Sequence, residues 1–224
     1  MPVCHDDGMR IDHVSYAAGP EGLQATAERL ATMLGVAPRD GGVHPRFGTR
    51  NIILPLAETR YVEVVECLDH PASDKAPFGQ AVKARSARGG GWMAWVVAVD
   101  DLGPVEERLG RSAVEGHRTT PEGHDLQWRQ IGVKNVIDHG HLPFFVQWVS
   151  DEQQHPSRLE QSPSRLTGLT IGGDFDGVRT WLGLTDAPKG GFESQIEFGF
   201  VEDDPCPCLY EVSFETPRGP VSIQ

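Results

Sequence analysis

An α+β fold of repeated βαβββ units is what this chain predicts, on three observations. A strand, a helix and further strands follow one another in that order three times along the 224 residues. The corresponding strands also line up. Ile11-Asp12-His13-Val14, Met93-Ala94-Trp95-Val96 and Leu166-Thr167-Gly168-Leu169 open the units, while Tyr61-Val62-Glu63-Val64, Phe145-Val146-Gln147-Trp148 and Leu209-Tyr210-Glu211-Val212 close them. Finally, 26 glycines and 17 prolines supply the turns that many short strands need. Ordered self-similarity of this kind is the mark of duplication.

In the first unit, residues 11–17 read as a strand, broken by Gly19-Pro20-Glu21-Gly22. Leu23, Ala27, Leu30, Ala31 and Leu34 then recur at helical spacing, with Gly35 placed to cap the C-terminus. A turn-rich segment over 38–42 precedes strands at 46–56, interrupted near Gly48, and at 60–68. The second unit runs from Gly89-Gly90-Gly91 into a strand at 92–99, a short helix at 102–109 stopped by Gly110, and strands at 124–132 and 142–149. A polar linker, 150–164, leads to the third unit. There a strand at 165–172, a helix at 175–182 with Gly183 as its stop, and strands at 193–201 and 209–216 are expected. Residues 10–149, holding units 10–68 and 92–149, form one expected domain. Residues 165–224 form a third, partial unit packing on it.

The formal charge of -12, from 20 basic and 32 acidic residues, repels phosphate backbones and anionic lipid, so neither nucleic acid nor membrane is an expected partner. No run is long and apolar enough to span a bilayer, and the first residues lack the pattern of a secretory signal. Residues 1–8, ahead of Met9, read as a leader that adds nothing to the fold. Cys4, Cys67, Cys206 and Cys208 are too few for a disulfide scaffold, and reduced thiols in a cytoplasmic protein are the expectation.

A βαβββ repeat with a histidine on its first strand and a glutamate on its last resembles the vicinal-oxygen-chelate superfamily, which includes glyoxalase I, extradiol dioxygenases and methylmalonyl-CoA epimerase. Asp12-His13-Val14, the segment His44 to Asn51, and Tyr61-Val62-Glu63-Val64 are similar to bacterial glyoxalase-like domain proteins. The resemblance implies units that curl into open, cup-shaped mixed sheets with helices outside. It also implies a small-molecule ligand and one divalent metal ion held by residues of first and last strands.

Strand alternation puts Ile11, His13 and Ser15 on one face, with Asp12, Val14 and Tyr16 on the other; Tyr61, Glu63 and Val65 share a face of the closing strand. His13 and Glu63 can therefore converge as half of a metal site, or as a hydrogen-bonded pair that shapes the cleft. The partner unit decides the rest. If the third unit closes on the first, Glu211 completes a set with His13 and Glu63; if the second does, Trp95 and Gln147 stand where ligands are needed and metal binding is in doubt. His44 is the candidate general base. Arg46, Thr49 and Asn51 in the loop after it, with Trp95 and Gln147, are the candidate substrate contacts. Asp138-His139-Gly140-His141 reads as a turn, and His5, His70, His117, His124 and His155 as surface or loop residues.

Two readings follow. One is a metal-dependent lyase, isomerase or dioxygenase acting on a small oxygenated molecule. The other is a metal-free protein that sequesters a hydrophobic or aromatic compound. An exposed sheet edge from the odd third unit invites a homodimer.

Overall fold

The computed structural model describes residues 8–160, 162–184, 193, 195–202, 204 and 207–224. Most of the expected leader, with Cys4 and His5, and also Cys206, lie outside these.

The first half carries β1 (Met9–Ala17), α1 (Gly22–Leu34), β2 (Arg39–His44), β3 (Thr49–Leu56) and β4 (Arg60–Cys67). Two short helices, α2 (Pro71–Lys75) and α3 (Pro77–Ser86), lead to β5 (Gly91–Val99), α4 (Gly103–Leu109), β6 (Val114–Thr119), β7 (Asp125–Ile131) and β8 (Phe144–Trp148). The last segment holds β9 (Arg165–Gly172), α5 (Phe175–Leu182), β10 (Glu197–Val201), β11 (Leu209–Thr216) and β12 (Gly219–Ile223). No helix among the described residues is long and apolar enough to cross a membrane.

Eight strands close into a barrel in the order β1-β4-β3-β2-β6-β7-β8-β5. The open cup expected from the sequence is closed here by a single registered pair, Val43 opposite Thr119, joining β2 to β6. The third segment joins neither half of the barrel: β10-β9-β11-β12 make a separate four-stranded sheet.

Helix α1 forms where the spacing predicts it, burying Leu23, Ala27, Leu30, Ala31 and Leu34 and ending at left-handed Gly35. It covers the outer face of the barrel together with Val62 and Val64. On the same outer layer Trp92 packs at 6.3 Å from Phe214, and Trp95 at 5.8 Å from Phe198, so the second sheet is welded to β5. Inside the barrel lies a separate apolar cluster, in which Phe78, Ala81 and Val82 of α3 meet Val65, Val96 and Trp128. Helix α3 therefore plugs one mouth. Its companion α2 comes so close to Gly48 that a Cβ there would stand 2.4 Å from the Ser73 nitrogen, which explains the glycine.

Two bulges set which side chains face inward. Ile11 pairs with Val97 and His13 with Val96, leaving Asp12 unopposed; Ser15 pairs with Ala94 and Tyr16 with Trp92, leaving Met93 unopposed. The simple alternation is thereby corrected. Ile11 joins Val14 and Tyr16 in the outer core, whereas Asp12 bonds to His13.

Candidate functional site

The polar residues inside the barrel converge on Glu63. Because β1 and β4 pair in parallel with Ser15 opposite Glu63, the Ser15 hydroxyl donates to Glu63 Oε2 at 2.9 Å. Asn51 Nδ2, from β3, donates to Oε1 at 2.8 Å. Two imidazoles flank the carboxylate: His13 Nε2 lies 3.9 Å from Oε2, and His44 Nε2 lies 3.8 Å from Oε1. All four polar residues and the carboxylate are buried.

Each imidazole is held from behind. His13 stacks on Tyr61 with ring centroids 4.5 Å apart, and its Nδ1 meets Asp12 Oδ2 at 2.9 Å. Asp12 also meets His155 Nε2 at 3.0 Å and accepts from Trp148 Nε1 at 3.3 Å, and Arg10 lies 2.9 Å away. The hairpin turn between β2 and β3 sets His44 opposite Thr49, and its Nδ1 lies 3.0 Å from the Thr49 hydroxyl.

Burial pushes the Asp12 carboxyl up, but hydrogen bonds from His13 and His155 and their charges outweigh it and hold the group well below the usual range. An ionised carboxylate only accepts, so His13 Nδ1 carries the proton and its Nε2 faces the interior. Burial likewise pushes Glu63 up, and His44, His13, Asn51 and Ser15 together bring it below its ordinary value. For His44, burial dominates the opposing pull of Glu63 and lowers it to about 4, so the ring is neutral at physiological pH.

The cavity these groups line has about 40 Å³ of room for water centres, enough for a few waters or a very small ligand. Its other walls are aromatic: Phe47, Phe78, Trp128, Phe144 and Trp148. Arg118, Gln130 and Val146 also line it. A roomier open groove of about 830 Å³ runs outside, past Arg10, Arg60, Gln147 and His155. Asp12 links the two, bonded to His13 on one side and His155 on the other.

The structure brings His13, His44, Asn51 and Glu63 together, with Thr49 behind His44. It does not bring in the other expected residues. Glu211 lies on β11 of the second sheet, where Gln224 donates to it at 3.1 Å, so it cannot join His13 and Glu63. Trp95 faces outward and donates to the His141 carbonyl at 2.8 Å. Gln147 points out too, donating to the Asp100 carbonyl at 2.7 Å. Arg46 is exposed and donates to the Glu115 carbonyl at 3.1 Å. His155, expected on the surface or in a loop, lies between two short helical turns and is buried against Asp12. The segment 138–141 is a turn, as expected.

The misplacements of Trp95 and Gln147 share one cause. Val96 stands opposite Phe144 as His13 stands opposite Tyr61, so the counterparts of His13 and Glu63 are Val96 and Val146 rather than Trp95 and Gln147. A valine offers no donor. Glu63 has both oxygens committed to Ser15 and Asn51, and among the described residues no group of three or more His, Cys, Asp or Glu could hold a metal ion. The donor set does not fit the metal pattern implied by the resemblance. Asp12, Tyr61, Arg118, Phe47 and Phe78 were missed by the sequence reading. For Arg118 composition offered no signal, because Val114–Thr119 carries a single apolar residue.

Residues 11–183 match the glyoxalase-like domain family, and the chain belongs to it. Among solved structures, a hypothetical protein from Staphylococcus aureus matches at 13% identity over 96% of this chain and 84% of that one, with a TM-score of 0.60. At that identity the likeness speaks for the fold alone. Methylmalonyl-CoA epimerase from Mycobacterium tuberculosis shows 14% identity over 62% of this chain and 85% of its own, with a TM-score of 0.41. The Streptomyces coelicolor epimerase, in complex with 2-nitronate-propionyl-CoA, shows 17% identity over 63% and 98%, with a TM-score of 0.43. No curated protein sequence matches the chain.

Proposed function

We propose that this glyoxalase-like protein is an isomerase or lyase that moves a proton on a small carbonyl compound using its own side chains, inside the barrel. The observation that carries the reading is the Asp12–His13 pair, in which a buried carboxylate fixes the tautomer of an imidazole whose Nε2 faces the cavity. His44, the candidate base, is neutral and stands on the other side of Glu63.

The chemistry follows from these positions. One imidazole Nε2 takes the proton from carbon next to the carbonyl, and the electrons of that bond pass to the carbonyl oxygen as an enolate. The second N–H of the Asn51 amide donates to that oxygen. The protonated base then returns its proton to carbon, and the carbonyl re-forms. Glu63 stabilises whichever imidazolium forms. We take residues 10–149 as the catalytic domain, its two βαβββ halves wired alike as β1-β4-β3-β2 and β5-β8-β7-β6. The 165–224 unit is its outer support, and a homodimer would pair the end strands β10 or β12.

Proton abstraction is read directly by incubating the protein in D₂O with a panel of small 2-oxo and 2-methyl carbonyl compounds and following C–H to C–D exchange by NMR. Catalysed exchange that falls at least 100-fold in His13→Gln is expected, in line with the usual value of general acid–base catalysis, about 10² to 10⁴. The aromatic walls support a second reading, sequestration of a small apolar compound. Saturable quenching of tryptophan emission by panel members with no exchange in any of them would select it.

A further inference from the structure

We infer that Arg118 and Asn51 form an anion site in the barrel cavity, and that the ligand is a small carboxylate. The inference rests on the cavity being the ligand site, and deepens that reading by naming the ligand's charge.

Arg118 stands on β6, is 3% exposed, and lines the cavity. A guanidinium stays charged in a protein and brings five donors. Here NH1 donates to Asn51 Oδ1 at 3.2 Å, while Nε is buried with no partner. No carboxylate among the described residues comes within ion-pair reach of it; Glu63 and Asp40 act on it only from farther away. Glu63, in the same cavity, gives its oxygens to Ser15 and Asn51 and faces the two imidazoles. A buried cation without a counter-ion is costly, and burial accordingly draws the Arg118 pKa down. A ligand anion resolves that cost and can meet the guanidinium edge-on.

The chain makes room for this arrangement. A Cβ on Gly41 would stand 2.1 Å from Asn51 Oδ1 and 2.6 Å from Arg118 NH1, so the glycine leaves the pair its space. Aromatic rings on the remaining walls suit a short carbon skeleton, and the room available limits it to a few heavy atoms.

Propionate and its neutral isostere propionamide test the idea in the full-length protein, read by emission of Trp128 and Trp148, which line the cavity. Saturation by propionate at a concentration at least ten-fold below that for propionamide is expected. Arg118→Met should erase the preference while melting at an unchanged or higher temperature, because a buried unpaired charge is gone; Arg118→Lys should keep part of the preference. Equal affinity for the two probes would overturn the anion site and leave the cavity reading standing. Silence with both probes would overturn both. Loss of the cooperative melt in Arg118→Met would mark a structural arginine and count against the site.

Discussion

Asp12 Oδ2 lies 2.9 Å from Nδ1 of His13, the next residue in the chain, although strand neighbours ordinarily face opposite ways. The bulge that leaves Asp12 unopposed between Ile11 and His13 makes the contact possible. An acid and its imidazole are thereby placed by one local irregularity.

Asp12→Asn tests that relationship. The amide keeps the shape but offers a single acceptor oxygen to His13, His155, Trp148 and Arg10, and its NH₂ favours the wrong His13 tautomer. We expect proton exchange to fall by about 10² to 10⁴. Nitrogen chemical shifts of the His13 ring should report the tautomer change. An Asp12→Asn protein with unaltered exchange and unaltered ring shifts would reduce Asp12 to a structural role.

His44 predicts an acid-sensitive stability. Its folded pKa of about 4 lies below the ordinary 6.5, so the unfolded chain binds the proton first. The contribution is complete above pH 6.5 and is lost as pH falls toward 4, reaching about 3 kcal/mol in all and about 2 kcal/mol by pH 5. Glu63, also held below its ordinary value, adds its loss only below about 4.5. Urea midpoints between pH 7 and 5 should therefore slope in the native protein and flatten in His44→Gln. Parallel slopes would show that His44 is not the group responsible.

The fold was legible where periodicity is local. Helix α1, its Gly35 cap, β4 and β5 all follow from apolar spacing. The strands β2, β6 and β12 and the helices α2 and α3 were not foreseen. Val114-Glu115-Gly116-His117-Arg118-Thr119 carries one apolar residue, because its inward face holds a guanidinium in place of a hydrocarbon. His13 and Glu63 were legible as a converging pair. Trp95 and Gln147 were misplaced by one residue, since the pairing of Val96 with Phe144 that sets the register leaves no mark on composition. Glu211 failed for a different reason: which segments share a sheet is decided by long-range packing, and the third segment docks outside the barrel.

Gly41→Ala should disturb the site without straining the backbone, since Gly41 is not among the positive-φ glycines. The new methyl must displace Asn51, whose amide bonds Glu63 and whose oxygen accepts from Arg118. Leaving those buried groups unpaired costs about 1–3 kcal/mol. Denaturant unfolding should show that loss, and titration with propionate should show weaker binding. A variant indistinguishable from the native protein in both would mean that Asn51 shifts freely and does not organise the cavity.

The second sheet should prove part of one cooperative unit with the barrel. Phe214 is fully buried beside Trp92, whose indole nitrogen donates to the Ile223 carbonyl at 2.7 Å, so the two layers share core and hydrogen bonds. Phe214→Ala leaves a cavity at that junction and is expected to cost about 3–5 kcal/mol. Because the lost contacts lie outside the barrel, propionate affinity should be retained at temperatures where the variant is folded. Circular dichroism and tryptophan emission should still report one coincident transition at lower temperature. Two separated transitions would instead show that the barrel folds on its own and that the outer sheet is an independent domain.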